Sequence, residues 1–263
     1  MRHPEGLIGW VDLSTTDVEA ARAFYTELLG WTTEDIPTPM GPAYTMCRLH
    51  GRLVCGLGPQ PPGQAEMGIP STWNSYVLVA DADATCAAAA AAGGTVLMPA
   101  MDVMTEGRMA MLADPTGAVI GIWQPLDHEG AEVFNEPGAL TWNELQARDL
   151  DAATPFYAEV FGWRWEAPPE WDGYRIAHLD AKASEDTSNG GAMTMPAEVP
   201  PEVPSYWAVY FAVEDCDTAV ERAVSLGAEV YLPAMQMGPG RFAGIADPTG
   251  AMFLLGHFTP GVD

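Results

Sequence analysis

Apolar and polar residues alternate along Leu7–Leu13 and again along Leu140–Leu145, and each run leads to an Asp, Asp17 or Asp149. Alternation at period two marks a half-buried strand. Beyond each Asp, Ala20, Ala21, Phe24, Tyr25 and Leu28 recur at the spacing of one helical face, as do Ala152, Ala153, Phe156, Tyr157 and Val160. The Asp is placed to accept from the first free helix N–H groups. Gly30 and Gly162 stop the helices, because glycine takes the left-handed conformation there without a Cβ clash, and Trp31 or Trp163 opens the next strand.

The same reading predicts strands at Ala43–Leu49 and Leu53–Leu57, then a strand at Trp73–Val79 with a helix from Ala82 to Ala92 ended by Gly93–Gly94. Strands at Thr95–Met98, Met109–Ala113 and Val119–Trp123 follow. The second half repeats the order: Tyr174–Leu179, Gly191–Met195, Trp207–Val213, a helix from Asp217 to Leu226, then Glu229–Leu232, Ala243–Ala246 and Met252–His257. Each copy is therefore βαβββ twice. Asp114–Gly117 and Asp247–Gly250, both Asp-Pro-Thr-Gly, are hairpin turns, since Asp-Pro favours turn initiation and Gly supplies positive φ.

The copies are literal. Trp10 and Trp142, Pro99 and Pro233, and Asp114 and Asp247 are separated by 132, 134 and 133 residues, so order and spacing survive along the whole unit. Solenoid repeats run to roughly 20–50 residues, so a period this long means two copies of one complete fold. The expected organisation is a first module at 1–125, an aperiodic linker at 126–137 and a second module at 138–263. Pro-rich segments at Pro59–Pro70 and Pro196–Pro204 are crossover connections within the copies.

Composition narrows the function classes. With 48% hydrophobic residues, 263 residues supply two real cores. Eleven Lys and Arg against 36 Asp and Glu give a net charge of −25, which repels phosphate backbones and excludes nucleic acid as a partner. No run approaches the ~18 apolar residues of a membrane span, and MRHPEGLIGW lacks a secretory signal, so a cytoplasmic protein with no membrane partner is expected. Cys47, Cys55, Cys86 and Cys216 form no C-x-x-C pair and read as buried thiols. P-loop, GxGxxG, GxSxG and HExxH motifs are all absent from the sequence.

The pattern strand, D-x-x-x-A-x-x-FY-x-x-x-x-GW and later DP-x-G before a final strand resembles the vicinal oxygen chelate superfamily, across nearly the entire chain. That superfamily includes glyoxalase I, extradiol dioxygenases, fosfomycin resistance proteins and bleomycin-binding proteins. The resemblance implies an α+β fold: two tandem modules, each of two βαβββ units, forming curved mixed sheets around a cavity. It fixes architecture better than chemistry.

Metal-dependent members place a His on the first strand, a His at the start of the fifth and a Glu shortly after the DP-x-G turn. The resemblance puts these positions at Trp10, Asn74 and Gly121 in copy one, and at Trp142, Ala208 and Leu254 in copy two. Such residues offer a divalent cation no converging N, O or S donors, so no metal and no other cofactor is expected. Strand parity sets Asp12 beside Trp10 and Glu144 beside Trp142, where an acid serves as a general base, a counter-ion for a cationic ligand, part of a noncanonical metal site, or a structural group that hydrogen-bonds a neighbouring strand or faces solvent. Glu144 is the favoured one. His178 and His257 lie in predicted strands and are candidate proton-transfer groups beside it, whereas exposure accounts for His3, His50 and His128.

Trp10, Trp73, Tyr76 and Trp123, with Trp142, Trp207 and Tyr210, form candidate ligand walls suited to a small hydrophobic or aromatic molecule. Methionines cluster on the later strands and add adaptable surface. Arg108 and Arg241, at equivalent loop positions, recognise a carboxylate or pair with local acids such as Glu106. Three functions stay open: metal-independent binding of an apolar or aromatic small molecule, a metal-free enzyme tailoring such a molecule through Glu144, His178 and His257, and a metal-dependent glyoxalase or dioxygenase. Two modules in one chain favour a monomer, with a dimer left open.

Overall fold

The computed structural model describes residues 3–39, 41–179, 188–197, 199–238 and 240–258. The elements run β1 (Ile8–Thr15), α1 (Val18–Leu29), β2 (Thr32–Ile36), β3 (Tyr44–Leu49), β4 (Arg52–Pro59), β5 (Thr72–Leu78), α2 (Ala82–Ala91), β6 (Thr95–Val103), β7 (Gly107–Ala113) and β8 (Val119–Pro125). The second series is β9 (Leu140–Ala147), α3 (Leu150–Phe161), β10 (Arg164–Glu166), β11 (Tyr174–His178), β12 (Ser188–Thr194), β13 (Tyr206–Ala212), α4 (Cys216–Ser225), β14 (Glu229–Met237), β15 (Gly240–Ala246) and β16 (Met252–Phe258). Two mixed eight-stranded sheets result, ordered β2-β3-β4-β1-β5-β8-β7-β6 and β10-β11-β12-β9-β13-β16-β15-β14. The α+β class and the doubled βαβββ order are those expected. Among the described residues no helix is long and apolar enough to cross a membrane.

Local chemistry explains the helix ends. Asp17, Asp81, Asp149 and Asp215 each accept from backbone N–H groups of the first helical turn. Gly30 and Gly162 sit at φ 73° and 71°, their N–H groups closing back onto Thr26 and Ala158. The PAM segments do not leave their strands: β6 and β14 continue to Val103 and Met237 through register shifts that accommodate Pro99 and Pro233. Arg108 and Arg241 consequently lie in strands β7 and β15, not in loops.

Compact packing does not follow the order of the copies. One unit comprises Met1–Trp10, Ser75–Gly130 and Trp142–Ala208, and the other Val11–Asn74, Ala131–Thr141 and Val209–Asp263. The core of the first packs Val77, Leu112, Ile120 and Ile122 with Leu145, Phe156, Tyr157, Trp163 and Trp207. In the second, Val11, Phe24, Tyr25, Trp31 and Trp73 meet Val209, Phe211, Ile245 and Phe253. Segment 126–137 carries buried Ala131 and Val133, and Glu132 Oε2 accepts from the Leu53 N–H at 2.6 Å.

The recurring FY and DPTG motifs are explained by one buried hydrogen-bond chain. In the first unit Trp207 Nε1–H donates to the Tyr157 hydroxyl at 2.8 Å, and that hydroxyl donates to Asp114 Oδ2 at 2.9 Å. Asp114 Oδ1 meanwhile accepts from the N–H groups of Thr116 and Ala118 and from the Thr116 hydroxyl, which shapes the turn. The second unit repeats the first link, with Trp73 donating to Tyr25 at 2.9 Å, and Asp247 stands beside that hydroxyl. Burial and the neighbouring carboxylate push both phenols well above the ordinary tyrosine range.

Candidate functional site

On β9, Leu145 and Ala147 enter the helix-side core, so alternation puts Trp142, Glu144 and Gln146 on the opposite sheet face. Glu144 is buried there at 6% exposure. Gln146 Nε2 donates to Glu144 Oε1 at 2.6 Å, and Trp142 Nε1–H donates to the Tyr174 hydroxyl at 3.2 Å. The Glu144 carboxylate stands next to that hydroxyl. Burial first, then the Glu144 charge, push the Tyr174 phenol far up, so it stays protonated beside the carboxylate. Tyr206 moves the same way for the same two reasons.

A glycine makes room for this tyrosine. Gly191 on β12 is registered against Glu144, and a Cβ at Gly191 would collide with the Tyr174 hydroxyl and sit 3.1 Å from Trp142 Nε1. The other unit holds the counterpart. Asp12 is registered against Gly56; Tyr44 lies over that glycine and its hydroxyl donates to Asp12 Oδ2 at 3.3 Å, while Asn74 Nδ2 donates to Oδ1 at 2.9 Å. Each unit thus carries a strand acid clasped by a tyrosine that a facing glycine admits. Sequence reasoning found both acids and missed Tyr44, Tyr174, Gln146 and the two glycines. The available signal was a Tyr at the start of the third strand of each copy.

A cleft of about 680 Å³ opens between the start of α3 and the β10–β11 loop; Arg148, Asp151, Asp172 and Arg175 line it with Trp171 and Tyr174, whereas Trp142, Glu144 and Gln146 are not among its walls. Trp171 meets Tyr174 edge-to-face at 5.6 Å and is 38% exposed. Trp142, Tyr174 and Trp171 thus form a row of aromatic contacts beside the buried acid.

The remaining candidates have other neighbours. His178 Nε2 lies 3.2 Å from Glu166 Oε2 on the adjacent strand. His257 Nδ1 is 3.3 Å from the Val213 carbonyl, and the hydrogen bonds from Thr218 hold nearby Asp215 below the usual carboxylate range. Trp73 and Trp207 belong to the helix-side cores, where their N–H groups are taken by Tyr25 and Tyr157, so they are packing residues and not ligand walls. Parity decides this: Trp73 and Val77 share the core-facing side of β5, opposite Asn74 and Tyr76.

Trp10 and Trp123 are buried and pack against His128, at centroid distances of 4.4 and 5.6 Å, with Trp123 Nε1–H donating to the His128 carbonyl. The expectation that exposure explains His128 is therefore wrong: it is 7% exposed in an aromatic nest. Tyr76 lies over Gly121, and Tyr210 meets Phe242 edge-to-face at 5.8 Å. Arg108 pairs with Asp83 at 2.6 Å and Asp102 at 2.8 Å rather than with Glu106, and Arg241 pairs with Asp217 at 2.6 Å.

The donor set does not fit a divalent metal. At the positions the resemblance marks, Trp10 is packed on His128, Gly121 has no side chain, Trp142 presents an N–H donor, and Ala208 and Leu254 are alkyl. Asn74 turns its amide N–H toward Asp12, which suits a carboxylate partner and not a cation. Among the described residues no group of three or more His, Cys, Asp and Glu is placed to hold an ion.

Comparison with known proteins agrees with this architecture. Residues 7–122 match the family model of the Glyoxalase/Bleomycin resistance protein/Dioxygenase superfamily, and residues 142–256 match that of the Glyoxalase-like domain. The chain is 43% identical over 251 residues to a Mycobacterium tuberculosis protein named "Putative glyoxylase CFP32", covering 95% of this chain and 94% of that one. It is 37% identical over 262 residues to the anthracycline biosynthesis protein DnrV of Streptomyces peucetius, covering 96% and 93%. The Mn(II)-bound glyoxalase from Novosphingobium aromaticivorans shares the fold at a TM-score of 0.64 and 14% identity, over 97% of this chain and 83% of that one. With both halves matched and full-length relatives well above 30% identity, the chain belongs to the Glyoxalase/Bleomycin resistance protein/Dioxygenase superfamily, in a form with two tandem domains.

Proposed function

We propose that this protein binds a small, largely aromatic molecule without a metal, using the tyrosine-clasped acid Glu144 as the polar anchor beside Trp142, Tyr174 and Trp171. The observation that carries the reading is the donor arrangement: Gln146 directs a hydrogen at the buried Glu144 carboxylate, and the protonated Tyr174 phenol stands beside it, where a Lewis-acid centre would need lone pairs. Flat rings suit the Trp142, Tyr174 and Trp171 row, because indole and phenol faces stack at little entropic cost. The relatives named for anthracycline biosynthesis support a polycyclic aromatic ligand. Titrating hydroxyanthraquinones into chelator-treated protein tests this by quenching of tryptophan fluorescence. Saturable quenching that added Zn, Ni or Mn does not alter is the expected result. Binding that appears only on metal addition would sink the proposal.

The second reading makes Glu144 a general base in a metal-free enzyme acting on such a molecule, and its motive is the same buried carboxylate beside a protonated tyrosine. Tyr174 is then its acid partner, since His178 and His257 face Glu166 and the Val213 carbonyl. Replacing Glu144 by Gln separates the two. Turnover lost with binding retained supports catalysis, whereas at least tenfold weaker binding, about 1.4 kcal/mol, supports the anchor.

A further inference from the structure

We propose that Cys47 and Cys55 are a modification site: a peroxide-oxidisable pair that closes to a cross-strand disulfide and thereby moves the hairpin carrying Tyr44. The proposal is independent of the ligand reading above. Cys47 on β3 and Cys55 on β4 are direct partners in the antiparallel register, both fully buried, and both are free thiols. Facing residues in such a ladder have Cα atoms ~4.5 or ~5.5 Å apart, and both values fall within the ~4.4–6.8 Å span of disulfides. The two side chains point into one core and interact there, as the influence of Cys47 on the Cys55 thiol shows. The equivalent register pair in the second copy is Ala177 and Gly190, so the device exists once in the chain.

Closure would be felt at the acid–tyrosine pair. Disulfide Cβ atoms stand ~3.8 Å apart, against ~4.5–5.5 Å for facing strand residues, so β3 and β4 are drawn together by roughly 1 Å on their core side. Cys55 adjoins Gly56, the residue on which the Tyr44 ring rests with no space for even a Cβ. Tyr44 therefore follows the strands and its 3.3 Å hydrogen bond to Asp12 changes.

Access is gated. Burial pushes the Cys55 thiol well up, so it is protonated and inert while the sheet is closed. β2, the edge strand hydrogen-bonded to β3, is mostly exposed, and local opening of this sheet edge, which loosens β3 from the core, costs less than global unfolding. In the open state one thiolate attacks hydrogen peroxide to give a sulfenic acid and water, and the second thiol displaces another water to form the S–S bond. Two thiols and one peroxide thus yield one disulfide and two waters.

The test uses the full chain under native conditions with hydrogen peroxide, followed by non-reducing digestion and mass spectrometry. A peptide pair joined through Cys47 and Cys55, two hydrogens lighter, should form at a rate that saturates with peroxide because opening limits it. Cys47→Ala should abolish the linkage, and Cys86→Ala should leave it unchanged. Hydrogen exchange of residues 44–59 should differ between the oxidised and reduced forms. Cys47 and Cys55 both remaining reduced while urea-unfolded chain is oxidised would overturn the site, and identical exchange in the two forms would overturn its effect on the hairpin. Since the main readout is on the unaltered chain, a poorly folded variant leaves the result decisive.

Discussion

Replacing Tyr157 by Phe takes one oxygen from the middle of the buried chain Trp207–Tyr157–Asp114. The change leaves the ring in place, so the aromatic stack on Trp163 at 5.3 Å is kept and the loss is one of hydrogen bonding. Trp207 Nε1–H, donating at 2.8 Å, loses its acceptor in a site that is fully buried around the hydroxyl, which costs ~1–3 kcal/mol. Asp114 Oδ2 loses a donor at 2.9 Å, and a bond to a charged group is worth ~1.5–3 kcal/mol. Together these give a loss of roughly 3 kcal/mol, or on the order of 10 °C in Tm for a structure of this size. Tyr25→Phe is the internal comparison. There the Trp73 bond of 2.9 Å is matched, but Asp247 Oδ2 is buried without a hydrogen bond of good geometry. Tyr25→Phe should therefore cost less, by about the charge-assisted term of ~1.5 kcal/mol. Urea unfolding followed by both circular dichroism and tryptophan fluorescence reads the two variants, and the two probes also reveal any separate unfolding of the units. A loss below ~0.5 kcal/mol for Tyr157→Phe, or an equal loss for both variants, would refute the reasoning.

Alkaline behaviour follows from the raised phenols of Tyr25, Tyr157 and Tyr174. Folding favours their neutral forms, so their contribution is complete below the ordinary tyrosine value of ~10 and declines as pH rises from there toward the folded values. These three should ionise only with unfolding, seen as a late step in absorbance at 295 nm that coincides with loss of ellipticity; complete early ionisation in folded protein would contradict the burial argument. Gly191→Ala should displace Tyr174 at an overpacking cost of ~1–3 kcal/mol and weaken aromatic-ligand quenching about tenfold. Unchanged stability and unchanged binding in that variant would show that the close approach has no role.

Legibility differed between local and distant features. The Asp caps, the Gly termini and the DPTG turns could be read because each is closed by hydrogen bonds within a few residues. Strand parity also carried Asp12 and Glu144 to the right face. It failed for Trp73 and Trp207, because a strand with aromatic residues on both sides does not declare which side meets a helix. His128 was misread for a related reason: a segment without periodicity can still be buried when Trp10 and Trp123 supply its surroundings.

The amino-acid sequence by itself determined the duplication, the order of elements and the helix boundaries. Those features depend on backbone sterics and on residue identity at known spacing. Only the tertiary structure decided that Asp114 meets Tyr157 and that Tyr174 reaches Glu144 over Gly191. Such pairings join residues 43 or more positions apart, or on different strands, and they depend on register and burial, which no local pattern of residues encodes.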